Sequence, residues 1–148
     1  MTLFLLARRL VLVVLPVVLT VTLMPFYASA AEGRVYVISP EDGATVSSPF
    51  VVRFGLREWG IAPAGVDHPK TGHHHLLIQR GRNADVPLPP ADEPIAYDDN
   101  HRHFGGGQTE TTMNLQPGFY ALRLVLGDAN HYPIESMHSH IIRIRVTE

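Results

Sequence analysis

Leu115-Gln116-Pro117-Gly118-Phe119-Tyr120 is the stretch that decides how this chain folds. Proline cannot donate to a strand ladder, and glycine accepts turn conformations that other residues avoid, so the pair closes one strand and opens another. Tyr120 then heads an alternation in which Tyr120, Leu122, Leu124 and Leu126 share one face and Ala121, Arg123 and Val125 the other. The order L-x-P-G-x-Y is the form of a tyrosine corner, whose phenol bends back onto the backbone of its own turn. That corner sits at the E–F turn of an immunoglobulin-like antiparallel β-sandwich.

With the corner as anchor, the other strands fall into place. Strand A is expected at 34–38, B at 50–57, C at 73–80, E at 108–115, F at 119–127 and G at 140–147, with D near Ile95 to Tyr97. Strand B shows the period plainly: Phe50, Val52, Phe54 and Leu56 alternate with Val51, Arg53, Gly55 and Arg57. No window carries a helical period. Two connections, 58–72 and 81–100, are long and rich in Pro and Gly, and long loops in a small domain are often functional. The reading is all-β: one immunoglobulin-like sandwich domain over residues 31–148, preceded by an N-terminal signal peptide over residues 1–30.

The signal reading rests on three features. Arg8 and Arg9 form a basic start, Leu10 to Met24 is an apolar block, and Ala28-Ser29-Ala30 gives a small-x-small cleavage pattern. Cleavage is expected after Ala30, releasing a periplasmic or secreted chain with no stable membrane span. The alternative is an uncleaved anchor, since Leu10 to Ala31 is long enough to span a bilayer, although Pro16 and Pro25 weaken a helix there.

Composition excludes several classes. Two of the twelve basic residues leave with residues 1–30, so ten face fourteen acidic ones, a net charge of −4. Lys70 is the sole lysine and no basic run stands out, which argues against nucleic acid. The chain has no Cys, so disulfides, thiolate metal sites, blue-copper centres and cysteine catalysis are all ruled out.

Nine histidines remain to be explained. In the expected sandwich the B–C, D–E and F–G loops gather at one pole. His73, His74 and His75 open strand C, His101 and His103 precede strand E, and His131, His138 and His140 lie in or at the exit of the F–G loop. His68 lies in the B–C loop. Residues i and i+2 of a strand point the same way, so His73/His75 and His101/His103 are each a potential chelate. Imidazole suits copper and zinc. The expected metal ligands are therefore His73, His75, His101, His103 and His131. His74 shares a face with Leu76 and Ile78 and reads as a buried, hydrogen-bonded histidine. Asp99, Glu110 and Asp128 are candidates to orient the ligands, and His138 and His140 are secondary. The bland alternative is a network of imidazoles ordering loops. Gly105-Gly106-Gly107 reads as a close backbone approach rather than a phosphate loop, because no helix follows. Trp59 and Tyr132 flank the same pole, where they either wall a shallow pocket or, as such aromatics more often do, pack the loops.

Three blocks resemble an exported bacterial family, domain of unknown function 4399: Thr71-Gly72-His73-His74-His75-Leu76-Leu77-Ile78, the run from Asp98 to Glu110, and Leu126-Gly127-Asp128-Ala129-Asn130-His131. Ala62-Pro63-Ala64-Gly65-Val66 also matches. The resemblance covers nearly all of residues 31–148. It implies that His73, His74, His75, His101, His103 and His131 belong to a shared site. The chain departs from the family pattern near Ile134 and at Phe119-Tyr120, where histidine is expected. Ser39 to Val46 is similar to the first strand and turn of periplasmic copper-carrier sandwiches, and His101-x-His103-Phe104-Gly105 to a ligand strand of copper–zinc superoxide dismutases.

The expected function is binding, delivery or buffering of a copper or zinc ion at the His-rich pole. One alternative is a non-metal interaction module that meets an envelope partner protein. A metal-dependent enzyme is a third, and no catalytic triad or positioned carboxylate pair favours it.

Overall fold

The computed structural model describes residues 33–148, so the signal segment and its cleavage site lie outside the described residues. Among the described residues, ten strands run in chain order: β1 (Arg34–Ser39), β2 (Thr45–Ser47), β3 (Phe50–Arg57), β4 (Gly60–Ile61), β5 (Thr71–Arg80), β6 (His101–His103), β7 (Glu110–Met113), β8 (Gly118–Gly127), β9 (Pro133–His138) and β10 (Ile142–Thr147). Among the described residues no helix is long and apolar enough to cross a membrane.

The strands form two sheets. The smaller has the order β1-β3-β7. The larger runs β2-β10-β8-β5-β4, with β6 also paired to β5 and β9 to β8. Strands A, B, C, E, F and G thus correspond to β1, β3, β5, β7, β8 and β10, the expected sandwich. At the corner, the Tyr120 hydroxyl donates to the Gln116 carbonyl at 2.9 Å. The Arg80 guanidinium closes the same turn by donating to the Pro117 carbonyl at 2.9 Å.

Alternation fills the space between the sheets. Val35, Val52 and Phe54 from the smaller sheet meet Leu76, Ile78, Leu122, Leu124, Leu126 and Ile144 from the larger. Burying each such side chain contributes roughly 1.5–3 kcal/mol. The larger sheet is also covered outside. Leu77, Ala121 and Val125 are buried against Val86 and Ile95 of segment 81–100, which lies across the sheet as a strap. Burial on both faces is why His73 to Ile78 form an unbroken buried run.

Four local expectations change. No strand D forms: Ile95 enters the outer cluster as a single residue from a loop, next to Pro94, which has no N–H for a ladder. His101–His103, expected as loop, is strand β6 on the edge of β5. Residues 133–138, expected inside the F–G loop, pair with β8 as β9. Thr45–Ser47 adds a parallel edge to β10.

Candidate metal centre

The β5–β8 ladder places the histidine triplet. His73 pairs with Gly127, His74 with Leu126 and His75 with Val125. His74 therefore turns into the core with Leu126, and His73 and His75 turn to the outer face. The side chain of His74 is fully buried, its ring centroid 5.1 Å from that of Phe54 and its Nδ1 3.4 Å from the Gln108 carbonyl. It is a core residue, as its shared face with Leu76 and Ile78 suggests.

On the outer face, β6 brings His103 opposite His75. One ring nitrogen from each of His73, His75 and His103 lies within 4.8 Å of the other two. His73 Nε2 and His75 Nε2 are 3.0 Å apart. Tetrahedral coordination at 2.0–2.1 Å would separate neighbouring nitrogens by about 3.3 Å, so the pair stands close to a coordination edge and His103 needs only to draw in.

A fourth imidazole, His131, is not among the three clustered nitrogens but packs against all three rings. The His131 centroid is 5.0 Å from His73, 4.7 Å from His103 and 6.0 Å from His75. His131 has a left-handed backbone, φ 73°, unusual for a residue with a side chain. The β8–β9 turn holds it there. Asp128 Oδ1 accepts from the Asn130 and Tyr132 backbone N–H groups, and the Asp128 carbonyl accepts from His131 N–H. The strap adds a bond from Ile95 N–H to the His131 carbonyl at 2.9 Å.

Two glycines make room. A Cβ at Gly127 would stand 2.8 Å from His75 Nε2, and one at Gly105 would overlap the His103 ring. The 62–66 loop closes over this end, with Ala64 N–H bonded to the Gly105 carbonyl and Gly65 N–H to that of Ala129.

The electrostatics favour neutral rings. Burial, reinforced by the neighbouring imidazoles, lowers the pKa of His73 to about 4 and that of His75 to about 3. Burial and His131 lower that of His103. Among the described residues, four buried ring nitrogens have no hydrogen-bond partner: His103 Nε2, His73 Nδ1, His75 Nδ1 and, in the core, His74 Nε2. A buried unpaired polar atom costs about 1–3 kcal/mol. A facing Nε2 pair can set one N–H against one lone pair, whereas a cation accepts a lone pair from each ring at once. The donor set therefore fits a borderline transition-metal ion, for which neutral imidazole is a good ligand.

The other expected residues lie elsewhere. His101 shares the face of His103, but its Nδ1 is held by Asp98 Oδ1 at 2.8 Å and it is not among the three clustered histidines. Glu110 pairs with Arg53 on the smaller sheet at 3.0 Å, and Asp99 lies 3.7 Å from Arg102. Asp128 acts on the site through the turn it builds. His138 is half-buried on β9, while His140 and His68 are exposed. The roles of Gly127 and Ile95 escaped sequence reading. Only the pairing register shows the first, and no pattern marks the second.

A family model described as Domain of unknown function (DUF4399) matches residues 52–147, a span that contains every residue of this cluster. No curated protein and no solved structure matches the chain. The likeness to copper carriers and superoxide dismutases therefore rests on the short segments quoted above.

Proposed function

The chain belongs to this family of unknown function, and on the geometry of its own residues we propose that it binds a copper or zinc ion. His73, His75 and His103 are the ligands and His131 is the fourth donor. The observation that carries this reading is the convergence of one ring nitrogen from each of three histidines, on two neighbouring strands, within 4.8 Å. His101 is left out of the set because Asp98 already holds it. The ion supplies Lewis acidity or a transferable cargo. The chain's part is to present neutral nitrogens and fix their spacing, and binding, delivery or buffering is the role this fits.

Export is part of the same proposal. The basic, apolar and small-residue order of residues 1–30 supports cleavage after Ala30 and a periplasmic or secreted location. Intact mass of the exported protein should show a chain beginning at Ala31; a full-length, membrane-held product would replace this with an anchored form.

Metal binding has a direct test. A ligand that binds only the folded state stabilises it by RT ln(1 + [L]/Kd), about 2.7 kcal/mol at a hundredfold excess over Kd. Copper or zinc should raise the melting temperature of the metal-stripped protein, and Mg²⁺ and Ca²⁺ should not. His103→Ala should remove most of the shift and His138→Ala should keep it. If copper, zinc and nickel all leave the melting curve unmoved, the imidazoles order loops, and an envelope partner becomes the better reading.

A further inference from the structure

The outer face of the larger sheet carries a second cluster at its other end. Along β8, Phe119 is eight residues from Gly127, about 25 Å at strand rise. Arg143 and Arg145 alternate on β10 with the buried Ile144 and Val146, so both leave on the outer face. Phe119 pairs with Arg145 and faces the same way. Arg82, at the root of the strap, places its guanidinium carbon 3.6 Å from the Phe119 ring centroid. With Thr45 and Asn83 these residues line a groove of about 500 Å³.

The charge here is uncompensated. Among the described residues, no carboxylate oxygen lies within 4.0 Å of a guanidinium nitrogen of Arg82, Arg143 or Arg145. The Asp42 carboxylate accepts from the Arg143 backbone N–H at 2.7 Å, and the one guanidinium bond of Arg143 is long, 3.5 Å to the Ala84 carbonyl. Stacking on Phe119 occupies the face of the Arg82 guanidinium and leaves its in-plane N–H groups free. Three cationic forks lining one groove, in a chain of net negative charge, suit a compact, multiply charged oxyanion, which accepts bidentate bonds on several edges.

We propose that this groove binds a phosphate-type oxyanion, either free phosphate or a phosphomonoester, through Arg82, Arg143 and Arg145. The site is independent of the imidazole cluster. Isothermal titration of the metal-stripped protein with inorganic phosphate, and separately with glycerol 3-phosphate, should give a saturable one-to-one heat with at least one of them. The tighter of the two identifies the source. Arg145→Gln and Arg82→Gln should each weaken binding roughly tenfold. Arg82→Lys, which keeps the charge but loses the planar fork, should weaken it too. Arg53→Gln, an equal loss of charge on the other sheet, should leave it unchanged. Absence of saturable heat with both probes overturns the proposal, as does equal weakening by Arg53→Gln.

Discussion

Gly127 sets how much space the buried imidazoles have. Its hydrogen faces His75 Nε2 where a methyl group would need to be 2.8 Å away, closer than ordinary contact. Gly127→Ala should therefore push the His75 ring out of line and weaken copper or zinc binding at least tenfold in a competition titration, because coordination tolerates little displacement. Unchanged affinity would show that the His75 ring is not held against β8. Tyr120 is the residue-scale test of the fold. Tyr120→Phe keeps the buried ring but strips the Gln116 carbonyl of its 2.9 Å bond, so the denaturation midpoint should fall by the equivalent of about 1–3 kcal/mol. A midpoint equal to wild type would argue against the corner. Tyr120 and the His73/His75 pair were legible in the sequence, since each depends on local order and strand period, whereas the expected His101/His103 chelate is not formed because Asp98 holds His101. Gly127 was not legible, because its importance comes from His75, 52 positions away on the neighbouring strand.

At the scale of elements, the strap decides the site more than its sequence suggests. Segment 81–100 buries Val86 and Ile95 on the sheet and, through Ile95 N–H, holds the carbonyl of His131. Ile95→Ala keeps that backbone bond but leaves a cavity beneath it, and large-to-small core changes cost about 2–5 kcal/mol. It should lower metal affinity more than Val86→Ala, which loosens the middle of the strap, and the same competition titration would compare them. Equal affinities would separate the strap from the site. The strap was recognisable as a long Pro-rich connection, but its path was not, because single anchoring residues leave no period. Strand β9 was hidden for a related reason. The six residues of β9, from Pro133 to His138, answer three of β8, from Gly127 to Val125, and Ser136 has φ 62°, so alternation breaks. Strand β6 is three residues long, too short to announce itself.

For the whole molecule, three fully buried histidines control acid stability. Folding lowers the pKa of His73 and His74 to about 4 and that of His75 to about 3, chiefly by burial, from an unfolded value of 6.5. The folded state therefore binds fewer protons. Its stability is complete above pH 6.5 and is lost as pH falls toward 4, at about 1.4 kcal/mol per unit of lowering for each ring. The metal-free protein should lose several kcal/mol between pH 7 and 4.5 in urea titrations. A flat profile would mean that these rings are not neutral in the fold. The same neutrality has a consequence for the charge of the occupied protein. Because His73, His75 and His103 already lack their extra protons at pH 7, loading them should displace almost none, and the ion's full charge should be added to the net charge of the chain, −2 for the full sequence and −4 for residues 31–148. Calorimetric binding enthalpies should then agree between buffers of different ionisation heat, and electrophoretic mobility should shift by the charge of one ion. A cuprous ion would bring half the buried charge of a cupric or zinc ion into a donor set that offers no anion of its own, so the size of that mobility shift would also report the oxidation state retained.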